Sequence, residues 1–113
     1  MIIRDQLLQI IEKIAREIKE QRQFLTDLDA AIGDGDHGIN MDRGFQEVKA
    51  KLPSLVDKDV GVILKTIGTT LVSTIGGASG PLYGTAFMKA GQVMNEKMQI
   101  TPQDLRVILE AAL

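Results

Sequence analysis

The chain contains no cysteine, no tryptophan and a single histidine, and aromatic residues make up only 4% of its 113 residues. Without cysteine there can be no disulfides and no thiolate metal sites, so any bound metal must be held by oxygen atoms or by His37. Because aromatic residues are scarce, the core must consist of Leu, Ile, Val, Ala and Met. Such an aliphatic composition suits packed helices.

The chain also lacks a strong excess of one charge and a long apolar run. A net charge of −2 gives no general attraction to nucleic acid or to an anionic membrane. The apolar residues near the N-terminus are interrupted by charged ones, which fits neither a signal sequence nor a membrane span. We therefore expect one cytoplasmic domain, residues 1–113, that binds neither nucleic acid nor membrane.

Apolar residues recur at three- and four-residue steps in several segments, which is the pattern of amphipathic helices. No segment shows the two-residue alternation of a strand, so the predicted fold is all-α, and short connections favour antiparallel neighbours. The first predicted helix covers residues 2–25, and the second follows Gly38 and ends before Pro53. The remaining three begin after the capping residue Asp59, at Pro81, and after the capping sequence Thr101-Pro102-Gln103-Asp104.

Two of these helices each contain glycines seven residues apart, Gly61 and Gly68 in the third and Gly84 and Gly91 in the fourth. This spacing puts each pair on one stripe of its helix, where the absence of side chains lets two helices approach closely. We interpret these glycines as packing positions.

Three carboxylates and several glycines lie together between the first and second predicted helices. Asp34 and Asp36 are two residues apart among glycines, so an irregular turn can aim both carboxylates the same way, and Asp29 supplies a third. Crowded carboxylates repel one another unless a cation neutralises them. Hard oxygen ligands suit Mg²⁺ or Mn²⁺, which accept substrate phosphates as further ligands. The alternative is that the Asp and Gly residues only form a cap and a turn.

Known motifs with similar spacing do not fit this loop. Residues 33–38 match G-x-G-x-x-G, but they follow a helix pattern rather than a strand, which excludes a dinucleotide fold. Ile39-Asn40 replaces the Lys-Ser/Thr pair of a P-loop. A calcium loop counted from Asp34 would place Phe45 where a glutamate is required.

A second glycine-rich stretch, residues 76–84, separates the third and fourth predicted helices. Backbone N–H groups at a glycine-rich helix start can cradle an anion, and Ser79 can add a hydroxyl, although the same stretch would also serve as a plain connection. We assign Leu82 and Tyr83 to packing. In an antiparallel arrangement residues 29–38 and 76–81 lie at the same end, where they could form one nucleotide-phosphate site.

Taken together, these stretches resemble the nucleotide-binding domain family of dihydroxyacetone kinases, the DhaL or Dak2 family. The resemblance is carried by Leu28-Asp29, by residues 33–41 and by residues 76–84. It implies an eight-helix antiparallel barrel, of which this chain would hold five helices, with a nucleotide and two Mg²⁺ ions at one rim. It implies Asp29, Asp34 and Asp36 as the metal ligands, and no catalytic residue is assigned. The residues implied to bind ADP or ATP are His37, Gly38, Ile39, Asn40, Ala78 and Ser79.

The resemblance also implies a kinase subunit with two protein partners. Phosphoryl transfer would go to dihydroxyacetone held on a separate K subunit, and a phosphohistidine-bearing phosphotransferase protein would rephosphorylate the bound ADP. Because the family domain is longer, we expect this chain to be incomplete at its C-terminus and to expose apolar helix faces through which it could self-associate.

Two alternatives stay open at this stage. A fatty-acid kinase N-terminal domain has a similar loop, but it usually reads Pro-Asp-Gly-Asp-Thr-Gly, whereas this chain has Gly33 before Asp34 and His37 in place of the Thr. The second alternative is a non-catalytic helical interaction module whose Asp residues bind a metal or nothing.

Overall fold

The computed structural model describes residues 1–32, 35–75 and 79–112 of the chain. Helices dominate these ranges, which confirms the predicted all-α class, and no helix within them is long and apolar enough to cross a bilayer. The elements in chain order are β1 (Ile2–Ile3), α1 (Arg4–Glu20), α2 (Arg22–Ile32), α3 (His37–Lys51), a short 3-10 helix (Leu52–Leu55), α4 (Val60–Thr74), α5 (Ser79–Val93), β2 (Gln99–Ile100) and α6 (Pro102–Ala112).

The described residues contain six α-helices rather than five, because the first predicted helix is two helices. The interruption is confined to Gln21, whose N–H donates to the Glu17 carbonyl at 2.9 Å and whose own carbonyl accepts from Leu25 at 3.0 Å. Hydrogen bonding of the helical type thus continues on both sides. No proline or glycine lies near Gln21, so the spacing of apolar residues predicted one continuous helix there.

The end of α3 and the start of α4 follow the predicted signals, whereas α3 begins at His37 and so contains Gly38. Pro53 lies in the 3-10 helix directly after α3, where its missing N–H cannot interrupt an α-helix. The Asp59 carboxylate accepts a hydrogen bond from the Val62 N–H at 2.9 Å, which caps the start of α4. Helix α4 holds the largest share of the fully buried side chains, including Ile63, Ile67 and Leu71, and is central, as its apolar composition predicted.

Helices α4 and α5 pack through the four predicted glycines, which we call the glycine seam: Gly61, Gly68, Gly84 and Gly91. A Cβ added at Gly68 would lie 2.6 Å from the Gly84 carbonyl oxygen, and one at Gly84 would lie 2.8 Å from the Gly68 carbonyl oxygen. Such separations exclude any side chain at these positions, so the packing interpretation is confirmed. The pairing of Gly61 with Gly91 and of Gly68 with Gly84 shows that the two helices are antiparallel.

Helix α3 also runs antiparallel to α4. At one end the Lys51 ammonium donates to the Thr70 hydroxyl at 3.0 Å, and at the other the Arg43 guanidinium donates to the Thr74 carbonyl at 3.3 Å. The start of α3 therefore lies against the end of α4. This is the end of the molecule where the two glycine-rich stretches were expected to meet.

A small sheet that the sequence pattern did not predict joins the N-terminus to the segment before α6. Ile2 pairs with Ile100 and Ile3 with Gln99, in antiparallel register. The same segment also accepts hydrogen bonds from two other places in the chain: the Met98 carbonyl accepts from the Arg4 N–H at 3.1 Å and the Lys97 carbonyl accepts from the Val60 N–H at 2.6 Å. Strands of two residues are too short to show alternation.

Helix α6 begins with the predicted capping arrangement. The Thr101 N–H donates to the Asp104 carboxylate and the Asp104 N–H donates to the Thr101 hydroxyl, each at 3.0 Å. The Thr101 N–H holds the pKa of Asp104 below its ordinary value; partial burial opposes this, and the Lys97 ammonium at 3.2 Å supports it. The Asp104 carboxylate therefore both caps α6 and forms an ion pair with Lys97.

Large apolar side chains are exposed on every described α-helix and, apart from Ile39 on α3, most strongly on α2, α5 and α6. Phe24 and Leu28 on α2 are 59% and 54% exposed, Leu82 on α5 is 65% exposed, and Leu105 and Leu109 on α6 are 45% and 55% exposed. Whether they mediate self-association stays a prediction.

Candidate functional site

Asp29 holds the start of α3 in place. Its side chain projects from α2, where one carboxylate oxygen accepts hydrogen bonds from the backbone N–H groups of Asp36 at 3.0 Å and His37 at 3.3 Å. These N–H groups belong to a helix start and have no acceptor within α3. Asp29 thus ties the start of α3 to α2, which is the capping role predicted as the alternative to metal binding.

The turn before α3 depends on Gly35, which has φ +74°, a backbone conformation that side chains disfavour. Asp36 follows as the residue before the helix, exposed, and its side chain makes no capping hydrogen bond. Its carboxylate is therefore not used to hold the helix. Asp34, the third predicted metal ligand, lies outside the described residues.

The donor set that is described fits a hard divalent cation. Asp29 and Asp36 bring two carboxylates to one loop, linked through the Asp36 backbone. A carboxylate can accept about four hydrogen bonds or metal contacts, so capping by Asp29 is compatible with metal ligation. Among the described residues, which omit Asp34, no group of three or more acidic or histidine side chains is arranged around a metal position.

Four predicted nucleotide-binding residues form the first turn of α3. His37 and Asn40 are half-buried, Ile39 is 53% exposed and Gly38 is buried. A Cβ at Gly38 would overlap the Arg22 carbonyl and lie 2.5 Å from the Thr26 hydroxyl, so this glycine is required by the packing of α3 on α2. The Thr26 hydroxyl is buried and has no hydrogen-bond partner among the described residues.

An ion pair between Arg22 on α2 and Asp42 on α3 also holds these two helices together, and it was not predicted from the sequence. Asp42 is only 7% exposed, and its carboxylate accepts from Arg22 at 3.2 Å and from the Gln46 amide at 3.2 Å. Arg22 therefore contacts α3 twice, through its side chain at Asp42 and through its carbonyl at Gly38. An acidic residue inside an apolar helix stripe was the signal that could have identified the pair.

The second glycine-rich stretch is described from Ser79 onward, and the predicted ligand Ala78 lies outside the described residues. Ser79 is the first residue of α5, half-buried, and Gly80 packs on the Ile75 carbonyl. Pro81 is the third residue of α5 rather than the first, a position that still needs no N–H donor within the helix. The assignment of Leu82 and Tyr83 to packing is wrong, since they are 65% and 41% exposed.

The residues that flank the two stretches are in contact. Arg43 donates to the Asn40 side-chain oxygen at 2.9 Å and to the Thr74 carbonyl at 3.3 Å, and Gly44 packs directly on the Ile75 side chain. The start of α3, the end of α4 and the start of α5 therefore occupy one end of the protein. Sequence analysis did not single out Arg43.

The described pockets open on other faces of the molecule. One of about 320 Å³ lies between α1, α3 and the 3-10 helix, and an apolar one of about 280 Å³ lies between α1, α5 and α6. None of the predicted site residues lines either pocket. The chemistry of the site thus rests on the helix ends themselves.

The fold and these helix ends define a class: an all-α protein in which the start of α3, preceded by acidic residues, lies with the end of α4 and the start of α5 at one end. Comparison with known proteins agrees, because the profile of the DAK2 domain matches residues 31–113. The chain belongs to the DAK2 domain family.

Curated relatives are similar over most of this chain. It is 45% identical over 102 residues to the PEP-dependent dihydroxyacetone kinase, ADP-binding subunit DhaL, of Escherichia coli (strain K12), covering 90% of this chain and 49% of the relative. It is 43% identical over 110 residues to the corresponding subunit of kinase 1 of Listeria innocua, covering 97% and 55%. Identity to the PTS-dependent dihydroxyacetone kinase, ADP-binding subunit DhaL, of Lactococcus lactis is 40% over 98 residues, covering 87% and 51%. The chain thus spans about half the length of these relatives.

Proposed function

We propose that this chain is the nucleotide-binding part of a cytoplasmic dihydroxyacetone kinase, and that residues 1–113 form a single domain that binds ADP or ATP with Mg²⁺. The observation that carries the proposal is the 45% identity over 102 residues to a subunit named for ADP binding. The contact between the start of α3 and the end of α4 supports it, because it brings the two proposed phosphate-binding segments to the same end of the protein.

The metal part of the proposal assigns Asp29, Asp34 and Asp36 to two Mg²⁺ ions. Bound Mg²⁺ would offset the negative charge of the phosphates and of the transferred phosphoryl group. Two observations support this assignment. The Asp36 carboxylate makes no capping hydrogen bond, and the Asp29 carboxylate is held by the backbone N–H groups of Asp36 and His37. A rigid carboxylate loses little entropy on binding a metal.

The nucleotide part assigns His37, Gly38, Ile39 and Asn40 to the phosphates and ribose on one side, and Ala78 and Ser79 on the other. In the first turn of α3 the N–H groups of His37 and Asn40 donate to the Asp29 carboxylate and the Asp36 carbonyl, so those of Gly38 and Ile39 are the backbone donors proposed for a phosphate. The positive end of the helix dipole favours an anion there. Since the Ile39 side chain is exposed, its backbone and its apolar surface are the groups available to a ligand.

The reaction part assigns phosphoryl transfer from bound ATP to dihydroxyacetone on a K subunit, followed by rephosphorylation of the bound ADP by a phosphohistidine-bearing phosphotransferase protein. The names of the relatives support this source of phosphate, since one is called PEP-dependent and another PTS-dependent. Catalysis would rest on positioning and charge neutralisation by the site, with no residue of this chain as a covalent intermediate.

Calorimetric titration of the full-length protein with ADP, with and without Mg²⁺, tests the binding proposal. Asp36→Asn should weaken Mg-ADP binding at least about tenfold, because replacing even a residue that only orients a metal ligand costs about 10- to 100-fold. Asp57→Asn is the matched control, since Asp57 is also an exposed loop aspartate but lies after the 3-10 helix. Equal affinity in both variants, or no binding by the unaltered protein, would favour a non-catalytic helical module.

Reconstitution tests the reaction. The full-length protein mixed with a K subunit, dihydroxyacetone and the phosphorylated phosphotransferase protein should form dihydroxyacetone phosphate with catalytic amounts of ADP. A requirement for stoichiometric ATP would contradict the proposed phosphate source, and transfer to a fatty acid in place of dihydroxyacetone would favour the fatty-acid kinase alternative.

Self-association is proposed separately, from the exposed apolar residues on α2, α5 and α6. Sedimentation of the 113-residue chain should show species larger than a monomer that depend on concentration. A monomer at all concentrations would contradict this part alone.

A further inference from the structure

One side chain, Arg43 on α3, contacts both the first turn of its own helix and the end of α4. Its terminal Nη2 donates to the Asn40 Oδ1 at 2.9 Å, and its Nε donates to the Thr74 carbonyl oxygen at 3.3 Å. The two acceptors belong to different helices, and each lies next to one of the two stretches in the proposed nucleotide site. Arg43 is therefore placed to affect the site without being a ligand.

The contact with Asn40 fixes which end of the amide faces the ligand. Arginine carries only donors, so the Asn40 side chain must turn its carbonyl oxygen toward Arg43 and its NH₂ group away from it. An NH₂ group donates to a phosphate oxygen, whereas the reversed amide would present an oxygen to an anion. Arg43 thus holds Asn40 in the one orientation that suits a phosphate.

The contact with Thr74 fixes the chain that leads into the second stretch. Thr74 is the last residue of α4, and its carbonyl is among those at a helix end that lack an N–H partner within the helix. A cation at this end also suits the negative pole of the helix dipole. Arg43 therefore fastens the end of α4 to the helix that carries Asn40.

We propose that Arg43 is a positioning residue for nucleotide binding, which orients the Asn40 amide as a donor and keeps the start of α3 against the end of α4. The proposal rests on the proposed function, since it takes the anion to be the phosphate of a nucleotide. It differs from a merely structural role, because the part of its effect that orients the amide must pass through Asn40.

A double-mutant cycle on the full-length protein separates these roles, with Mg-ADP affinity measured by calorimetry. Arg43→Ala should weaken binding about three- to tenfold, and Arg43→Lys should fall between, because one ammonium cannot copy the two-pronged contact. In the Asn40→Ala background, Arg43→Ala should cost clearly less than in the unaltered protein, and the cost that remains reports the Thr74 contact. Full additivity of the two losses would overturn the proposal.

The donor orientation has its own test in Asn40→Asp. The new carboxylate keeps Arg43 as a partner but replaces the NH₂ group by a negative oxygen, so it should bind Mg-ADP at least tenfold more weakly than Asn40→Ala. Equal affinity of these two variants would overturn the assigned orientation. In the free protein, the Asn40 side-chain NH₂ signals in a ¹⁵N–¹H spectrum, identified by their loss in Asn40→Asp, should shift in Arg43→Ala.

Arg106→Ala is the matched control, because Arg106 is an exposed helical arginine paired with Glu110 on α6, away from the site. It should leave Mg-ADP affinity unchanged. If the unaltered protein binds Mg-ADP and Arg43→Ala binds it equally well, only this inference fails. If the unaltered protein does not bind Mg-ADP, the proposed function fails and this inference with it.

Discussion

Replacing Gly38 by alanine should destabilise the protein, although alanine is the better helix former. Gly38 lies in the first turn of α3, and a Cβ there would overlap the carbonyl oxygen of Arg22 and lie 2.5 Å from the Thr26 hydroxyl. The carbonyl is part of the α2 backbone and cannot rotate away as a side chain can. The variant must therefore move α3 relative to α2.

The magnitude follows from two opposing terms. Alanine in place of glycine in a helix contributes about 1 kcal/mol of stability. Overpacking typically costs about 1–3 kcal/mol, and the upper end applies here because the obstacle is backbone. The expected net loss in the free energy of unfolding is about 2 kcal/mol.

Urea unfolding followed by circular dichroism measures this loss, and Gly44→Ala provides the matched control in the same helix. A Cβ at Gly44 would meet the side chain of Ile75, with its Cδ1 atom 2.7 Å away, and that side chain can change rotamer. We expect Gly44→Ala to change the unfolding free energy by less than about 1 kcal/mol, since the helix-propensity gain offsets a smaller packing cost.

The comparison refutes the reasoning if Gly38→Ala is as stable as Gly44→Ala or more stable. That result would mean that α2 can move away from α3 at little cost, so the acidic loop would not be held as the Asp29 contacts suggest. If the reasoning holds, Gly38→Ala should also weaken Mg-ADP binding, because the shifted turn carries Asn40.

Two further predictions concern charged groups. Arg22→Ala should lower the free energy of unfolding, measured with urea, by about 1–2 kcal/mol, because Asp42, only 7% exposed, loses its ion pair. Arg106→Ala removes an exposed ion pair and should change the free energy of unfolding by less than about 0.5 kcal/mol. The hydrogen bond from the Thr101 N–H lowers the pKa of Asp104 in the folded protein. The stabilisation from the ionised carboxylate is therefore complete above the unfolded pKa near 3.8 and is lost as the pH falls through the lower folded pKa. Asp104→Asn should therefore lose less stability than the unaltered protein between pH 4 and pH 2 in thermal unfolding, and an identical pH dependence would contradict this.

Features set by short sequence spacings were predictable. Asp59 caps α4 through a residue three positions ahead, and Thr101 and Asp104 form their reciprocal pair at the same spacing. The seven-residue spacing of Gly61 and Gly68 likewise shows directly which face of the helix packs. In each case the residues that form the pattern are close in the chain, so their spacing alone supports the prediction.

Features that depend on distant residues were not predictable. Arg43 meets Thr74 across 31 positions and Arg22 meets Asp42 across 20, and nothing local to either arginine indicates its partner. The interruption at Gln21 also lacks a local signal, because glutamine is a good helix former. The predicted ligands Asp34 and Ala78 lie outside the described residues, and the ligand roles of all the predicted site residues remain proposals.

The glycine seam also limits how the length of this protein can vary. Because Gly68 and Gly84 face each other backbone to backbone, the two helices cannot slide without placing a side chain between them. One residue added between Gly68 and Ile75 would rotate the end of α4 by about 100° and advance it by about 1.5 Å, which would turn the Thr74 carbonyl away from Arg43. Insertions in this segment should therefore be far less tolerated than insertions in the connection between α5 and α6.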